Sequence, residues 1–244
     1  ASKKNFFNDT ATTEIYTLYL SSAASDVYKR QRVLRSKPGT PLVLFNGQGG
    51  EYQATLINEN NKAAEVEVTA FCDIDRESQL NITLLQCISR SDRMDTTIQK
   101  ATELGVKTIL PVTSERSAHI NKSSFIKKSG RWAQIAISAC EQSGRTTVPI
   151  IHSITDFDTA VTTTDSELKL VLDPTATTRL GELKGEINSL AFLSGPEGGL
   201  SDEEIRHARD AGYTGIKLGE RVLRTETAAP ACIAAVQTLW GDLG

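Results

Sequence analysis

Residues 193–201 read LSGPEGGLS, and residues 217–228 read KLGERVLRTETA. Each segment begins at the end of a strand-like run, passes through a glycine-containing loop and continues into a helical pattern. A third segment, LVLDP at residues 170–174, is a strand that ends in a turn. Because ligands in an open α/β sheet bind outside the carboxyl ends of the strands, these three loops are predicted to line one pocket.

The surrounding chain, from residue 80 onward, alternates strand-like with helix-like runs. The strand-like runs occupy residues 81–88, 107–112, 148–154, 168–172, 190–194 and 215–218. Gly105 and Gly212 should end two of the helices, and Ser201 with Glu204 forms a capping box that begins the second of them. This alternation predicts an α/β fold with a mainly parallel sheet, covered by helices on both faces, over residues 80–244.

The chain before this region has a β-type pattern. Short runs over residues 32–71 are separated by Asn-Gly and Gly-Gly pairs, which favour hairpin turns because both residues tolerate positive φ. The glycines within residues 46–50 do not form GxGxxG at the start of a helix, so a turn is favoured over a nucleotide loop. A polar stretch at residues 73–79 then marks a domain boundary. We predict a small β-barrel or sheet over residues 32–74.

The first 31 residues fit neither pattern. Residues 5–31 resemble a peptide translated from sequencing-adaptor DNA, which is a known contaminant of assembled sequences. On this interpretation residues 1–31 are not native, and the first strand of the barrel is missing or replaced. The alternative is an authentic N-terminal strand and helix.

Charge limits the kinds of nucleic-acid binding that the chain can support. The 244 residues carry a net charge of -3 and a pI of about 5.7, whereas domains that coat nucleic acid non-specifically usually have a pI above about 9. RNA binding would therefore need a local basic patch. One candidate is the stretch that holds Arg116, Lys122, Lys127, Lys128 and Arg131, although a solvated helix face explains it as well.

Several other functional classes lack their sequence signals. No run of about 18 apolar residues and no secretory leader is present, which predicts a cytoplasmic protein without a membrane partner. The four cysteines and three histidines lie far apart, without the close pairs of zinc or redox sites. We therefore expect no metal site, and we interpret the cysteines as reduced core residues.

Four ordered motifs resemble those of a known family. GPEGGLSDEE at residues 195–204 and LGERVLRTETA at residues 218–228 resemble the paired signature of the ribosomal-RNA uracil-N3 methyltransferases. SRSDRMDTTIQKATELGV at residues 89–106 and EQSGRTTVP at residues 141–149 resemble the earlier segments of that family. The resemblance runs from about Arg32 to the final Gly-Asp-Leu-Gly.

This resemblance implies a fold, a reaction and partners. It implies an S-adenosylmethionine-dependent methyltransferase of the SPOUT class that acts on small-subunit (16S) ribosomal RNA. Its catalytic domain would contain a deep trefoil knot, and a PUA-like barrel would help to hold the RNA. Two subunits would pair as a homodimer so that the cofactor pocket lies at their interface.

The resemblance also assigns residues. The cofactor would be bound largely by backbone groups of the three loops, at Leu172, Asp173, Pro174, Ser194, Gly195, Gly198, Gly199, Leu218, Gly219, Leu223 and Thr225. RNA contacts are predicted at Arg35, Arg116, Lys122 and Arg145. For Arg145 the alternative is a cap on a helix C-terminus, where a cation is favourable. The chain departs from the family before Val33, where a first barrel strand and a histidine are missing. RNA affinity should suffer more from this change than cofactor binding.

The chemistry of the reaction suggests roles for three charged residues. Uracil N3 becomes a nucleophile only after its proton leaves, so the enzyme should align the base and stabilise its anion. Arg224 is predicted to do this, with an ion pair to Glu226 as the alternative. Glu226 or Glu197 is the predicted proton acceptor, although Glu197 fits equally well as an acceptor for backbone amides. Alternative functions are ribose 2′-O-methylation by another SPOUT enzyme and a non-catalytic RNA-binding assembly factor.

Overall fold

The computed structural model describes residues 14–19, 37–59, 63–117 and 122–244. The chain forms two compact units. One combines the described residues before Ser78 with Cys140–Val148, and the other consists of Ser78–Ala139 and Pro149–Gly244.

The first unit contains an antiparallel sheet. Its strands are β1 (Glu14–Tyr19), β2 (Pro41–Leu44), β3 (Glu51–Glu59) and β4 (Ala63–Cys72), in the order β1-β4-β3-β2. Alternate side chains on β3 and β4, including Tyr52, Leu56 and Val66, are buried together on one face, as the two-residue period of a strand requires. The predicted β-rich character is confirmed for the described residues 37–59 and 63–71.

Strand β1 lies inside the segment that we interpret as non-native. It pairs antiparallel with β4, and Glu14 stands opposite Val68. Backbone pairing uses N–H and C=O groups that every non-proline residue carries, so it does not distinguish a native strand from a foreign one. The rest of residues 1–36, and with it the alternative N-terminal helix, lies outside the described residues.

A parallel sheet forms the centre of the second unit. Its strands are β5 (Asn81–Cys87), β6 (Thr108–Thr113), β7 (Ile150–Ile151), β8 (Thr155–Asp156), β9 (Leu168–Leu172), β10 (Ser189–Ser194) and β11 (Thr214–Ile216). The order is β11-β9-β10-β5-β6-β7, and β8 pairs with the far end of β6. All of these pairings are parallel. The predicted α/β fold with a parallel sheet is confirmed, and the knot stays a prediction.

Three of the described helix ends lie at residues that the sequence predicted as helix boundaries. The helices are α1 (Ser91–Glu103), α2 (Lys122–Ser143), α3 (Phe157–Thr163), α4 (Asp202–Asp210) and α5 (Thr225–Trp240), with a short 3₁₀ turn at Leu180–Glu182. The predicted capping box is present, because Ser201 Oγ accepts the Glu204 N–H at 3.3 Å and Glu204 accepts the Ser201 N–H at 2.9 Å. Gly105 and Gly212 follow α1 and α4 with φ of 85° and 89°, a conformation that ends helices.

The strand predicted over residues 148–154 is wrong in length. Only Ile150–Ile151 pairs there, and β8 is a separate strand. The Val148 N–H donates to the Gly47 carbonyl at 3.1 Å within the first unit, and Pro149 has no N–H for a ladder. The apolar run is therefore divided between the two units.

Successive residues of the central strands are buried on both faces of the parallel sheet, as Leu84, Leu85, Phe192 and Leu193 show.

In the part of the chain that the structure describes, no helix is long and apolar enough to cross a membrane. The same residues contain no group of three or more His, Cys, Asp or Glu side chains that could hold a metal ion.

Candidate functional site

Three loops leave one edge of the parallel sheet side by side. Strand β9 lies between β10 and β11, with Val171 opposite Leu193 and Leu172 opposite Ile216. Parallel neighbours point the same way, so the loops after these strands start at the same edge. We call them loop 1 (172–175, from the last residue of β9), loop 2 (194–200, from the last residue of β10) and loop 3 (217–225, up to the residue that begins the next helix).

The three loops line one cavity of about 590 Å³, which lies within the range of roughly 300–1,000 Å³ that is typical of ligand sites. The lining includes every residue that the sequence predicted for the cofactor, namely Leu172, Asp173, Pro174, Ser194, Gly195, Gly198, Gly199, Leu218, Gly219, Leu223 and Thr225. Arg224 and Glu197 also line the cavity, whereas Glu226 is not part of the lining. The structure thus brings the predicted residues together, and their contact with a cofactor stays a prediction.

Loop 2 is a tight turn that leaves little room for side chains. The Gly199 N–H donates to the Pro196 carbonyl at 2.9 Å. A Cβ atom on Gly195 would lie 3.1 Å from the Leu200 backbone nitrogen, and one on Gly198 would lie 3.2 Å from Arg116 Cβ. Glycine lets the loop close on itself and on the chain after β6.

Arg116, predicted to contact RNA, braces this turn. Its Nη1 donates to the Gly198 carbonyl at 3.1 Å and to the Leu200 carbonyl at 3.4 Å. The neighbouring Glu115 N–H donates to Glu204 at 2.7 Å. The chain after β6 therefore makes hydrogen bonds both to loop 2 and to the first turn of α4.

A buried hydrogen-bond chain joins loop 2 to loop 3. The Thr225 hydroxyl donates to the Gly195 carbonyl at 2.8 Å and accepts from Gln86 Nε2 at 3.2 Å. Gln86 is fully buried and also donates to the Cys87 carbonyl at 3.0 Å. Sequence reasoning missed Gln86, although an amide inside the apolar strand NITLLQC was an available signal.

Loop 1 is held by a buried carboxylate. Asp173 Oδ1 accepts the Thr175 N–H and hydroxyl at 2.8 and 2.7 Å, and Oδ2 accepts from Arg209 Nη2 at 2.7 Å. The Asp173 side chain is fully buried. Both carboxylate oxygens already have partners, so Asp173 shapes the turn.

The charged residues beside the cavity meet at Arg93, which sequence reasoning did not single out. Arg93 Nε lies 3.4 Å from Glu197 Oε1, and its Nη1 lies 3.4 and 3.3 Å from the two oxygens of Glu226. Glu197 also accepts the Arg90 N–H at 2.9 Å, so it does bond a backbone amide, although not one of its own turn. Arg224 stands at the N-terminus of α5, is 75% exposed and lies 4.0 Å from Glu226.

Comparisons with known proteins agree with this geometry. The family model described as "RNA methyltransferase domain" matches residues 76–237, and the model "RNA methyltransferase PUA domain" matches residues 31–69. Ribosomal RNA small subunit methyltransferase E from Buchnera aphidicola subsp. Schizaphis graminum is 38% identical over 226 residues, which cover 92% of each chain. The protein of that name from Bacillus subtilis is 26% identical over 88% of each chain.

The chain belongs to the ribosomal RNA small subunit methyltransferase E family.

Two solved structures that are similar to this chain have the cofactor bound. The Neisseria gonorrhoeae ribosomal RNA small subunit methyltransferase E, bound to S-adenosyl methionine, is 40% identical with a TM-score of 0.87, covering 98% of this chain and 97% of that one. A Legionella pneumophila protein in complex with the cofactor SAM is 35% identical with a TM-score of 0.90, covering 97% and 96%.

Among the remaining residues predicted to bind RNA, the structure describes the side chain of Arg145 but not those of Lys122 and Arg35. Arg145 is buried in the first unit, where its Nε lies 3.1 Å from both oxygens of Glu77. The Arg145 side chain is 5% exposed and pairs with Glu77, so little of its charge faces solvent. The RNA contact and the helix cap both stay predictions. Lys122 begins α2, but its side chain lies outside the described residues, as does all of Arg35.

Proposed function

We propose that this protein transfers the methyl group of S-adenosylmethionine to N3 of a specific uridine in small-subunit (16S) ribosomal RNA. One observation carries the proposal: three loops from adjacent parallel strands form one cavity, and Arg224 lies in its lining. Family membership supports the methyl-transfer chemistry and ribosomal RNA as the substrate class.

The cavity has the features that this cofactor requires. Leu172, Ile216, Leu218 and Leu223 supply apolar walls, and the glycines of loop 2 allow backbone groups to approach a ligand closely. The cofactor would supply an electrophilic methyl group on a positively charged sulfur. Loops 1, 2 and 3 would hold it, with Thr225 and Gln86 fixing loop 2 against loop 3.

Arg224 is the proposed contact to the target base. Its guanidinium is exposed, and an arginine that donates to a uracil carbonyl stabilises the negative charge that develops when N3 loses its proton. The N3 atom lies on the Watson–Crick edge, so the base must be unpaired or flipped out, at a cost of a few kcal/mol. Glu226 and Glu197 remain the candidate proton acceptors.

The finer assignments are proposals as well. We propose a homodimer with a trefoil knot in each catalytic domain over residues 80–244, and RNA held partly by the PUA-like barrel over residues 32–74. Val222 in loop 3 is 85% exposed beside the cavity, and an apolar side chain in that position suits coverage by a second subunit. We also propose a cytoplasmic location, because the proposed substrate is ribosomal RNA.

The decisive experiment uses unmodified substrate. Small subunits from a strain that lacks the modification would be incubated with the protein and S-adenosylmethionine, and their nucleosides analysed by mass spectrometry. We expect 3-methyluridine, together with a new stop in reverse transcription at one position. A product methylated on ribose would support the 2′-O alternative, and failure to bind the cofactor in calorimetry would support an assembly factor.

A further inference from the structure

Two cations compete for one carboxylate at the start of α5. Glu226 places both oxygens 3.3–3.4 Å from Arg93 Nη1, whereas Arg224 approaches only one of them, at 4.0 Å. The Glu226 and Arg93 side chains are 20% and 25% exposed, but Arg224 is 75% exposed. Arg93 therefore holds the more sheltered pairing, and Arg224 stays in solvent at the cavity.

We infer that Arg93 is a positioning residue that engages Glu226 and so leaves Arg224 free to bind the substrate base. The inference rests on the proposed function for the role of Arg224. It assigns Glu226 to this ion pair instead of to proton transfer, which leaves Glu197 as the candidate proton acceptor. The pairing of Glu226 then controls whether the Arg224 guanidinium is available.

The local geometry explains why an engaged Glu226 matters. Arg224 and Glu226 are two positions apart at a helix start, where side chains do not face each other, so the 4.0 Å approach is incidental while Arg93 is present. A half-buried carboxylate without its partner is unfavourable. Without Arg93, Glu226 would draw in Arg224, which is the other cation that contacts it among the described residues.

The effect of losing Arg93 should be concentrated at Glu226. Glu197, the second carboxylate at Arg93, is also held by the Arg90 N–H at 2.9 Å. Loop 2 has further support from Arg116 and from Thr225. Removal of Arg93 should therefore leave the cavity largely shaped while changing the position of Arg224.

A rescue experiment tests this inference. Arg93→Gln should lower kcat for RNA methylation by at least about tenfold, with the Kd for S-adenosylmethionine within about twofold of wild type by calorimetry. Arg93→Lys, which still supplies a cation, should retain most of the rate. The double variant Arg93→Gln/Glu226→Gln should turn over faster than Arg93→Gln, because the carboxylate that captures Arg224 is gone. Lys100→Gln serves as the control, since it breaks an ion pair within α1, that of Lys100 with Glu103, and should leave the rate intact.

A second readout does not depend on turnover. Phenylglyoxal modifies accessible guanidinium groups, and peptide mapping by mass spectrometry reports the rate at Arg224. We expect fast modification in wild type, slow modification in Arg93→Gln and fast modification again in the double variant. If the wild-type protein does not methylate RNA, the proposed function is wrong. The labelling pattern still tests whether Arg93 keeps Glu226 from pairing with Arg224. Equal labelling of Arg224 in all three proteins, or a double variant no faster than Arg93→Gln, would overturn the inference.

Discussion

The Thr225 hydroxyl donates a 2.8 Å hydrogen bond to the Gly195 carbonyl, across loops that lie 30 positions apart in sequence. The same hydroxyl accepts from Gln86, so one side chain joins strand β5, loop 2 and loop 3. A small change at Thr225 should therefore alter the positions of both loop 2 and loop 3, which line the cavity.

Thr225→Val keeps the shape of the side chain but removes its hydrogen bonds. We expect a loss of about 1–3 kcal/mol in the free energy of unfolding, because buried polar partners are left unsatisfied, and weaker cofactor binding. Denaturant unfolding and calorimetry measure the two effects. Thr225→Ser is the control, and a valine variant that matched wild type in both measurements would contradict the role we give to this bond.

Arg224→Ala should reduce kcat by about 10²–10³, the usual effect of removing one group that stabilises a developing anion. The side chain is 75% exposed, so the thermal unfolding midpoint should not change. Arg206→Ala removes another largely exposed arginine, one paired with Glu203 on α4, and should leave the rate intact. Wild-type turnover by Arg224→Ala would exclude this arginine from the mechanism.

Gly195→Ala should disturb loop 2 because its Cβ would meet backbone atoms of Leu200 and Gly199 at 3.1 and 3.3 Å. We expect weaker cofactor binding in calorimetry and a lower unfolding midpoint. Gly130→Ala lies within α2 with nothing inside 4 Å of the new Cβ, so it should stabilise the protein by about 0.5–1 kcal/mol. Unchanged affinity in Gly195→Ala would show that the turn can relax.

Arg145→Met leaves Glu77 buried without its cation, and we expect a loss of about 3–5 kcal/mol in the free energy of unfolding. The control is Arg179→Met, which breaks a pair whose side chains are 66% and 70% exposed and should change stability by less than about 1 kcal/mol. A stable Arg145→Met variant with weakened RNA binding would instead support the RNA contact predicted from the sequence.

The cysteines should differ sharply in reactivity. Burial raises the pKa of Cys87 and Cys232 to about 12 and that of Cys140 to about 11, so all three stay as thiols at neutral pH, whereas the thiolate is the nucleophile. Cys72 is partly exposed. Alkylation of the native protein at pH 7.5 should therefore label Cys72 first, and the other three only after denaturation.

The sequence predicted what depends on neighbouring residues, and it missed what depends on distant contacts. The Ser201–Glu204 capping box and the parallel strands were predicted because their signals lie within a few residues of one another. Gln86 and Arg93 were not, because their roles come from Thr225 and Glu226, which are 139 and 133 positions away. The strand predicted at residues 148–154 was too long because the hydrogen-bond partner of Val148 is Gly47. The placement of the three loops at one edge needed only the rule for parallel sheets.

The pairing of β1 with β4 bears on how the first unit is completed. An antiparallel pairing depends on hydrogen bonds between regularly spaced main-chain N–H and C=O groups. Any extended segment without an obstructing proline has these groups at the required spacing. The side of β4 opposite β3 thus accepts an added strand, so a peptide carrying the first barrel strand expected of the family, added in trans, should compete with Glu14–Tyr19 for that edge.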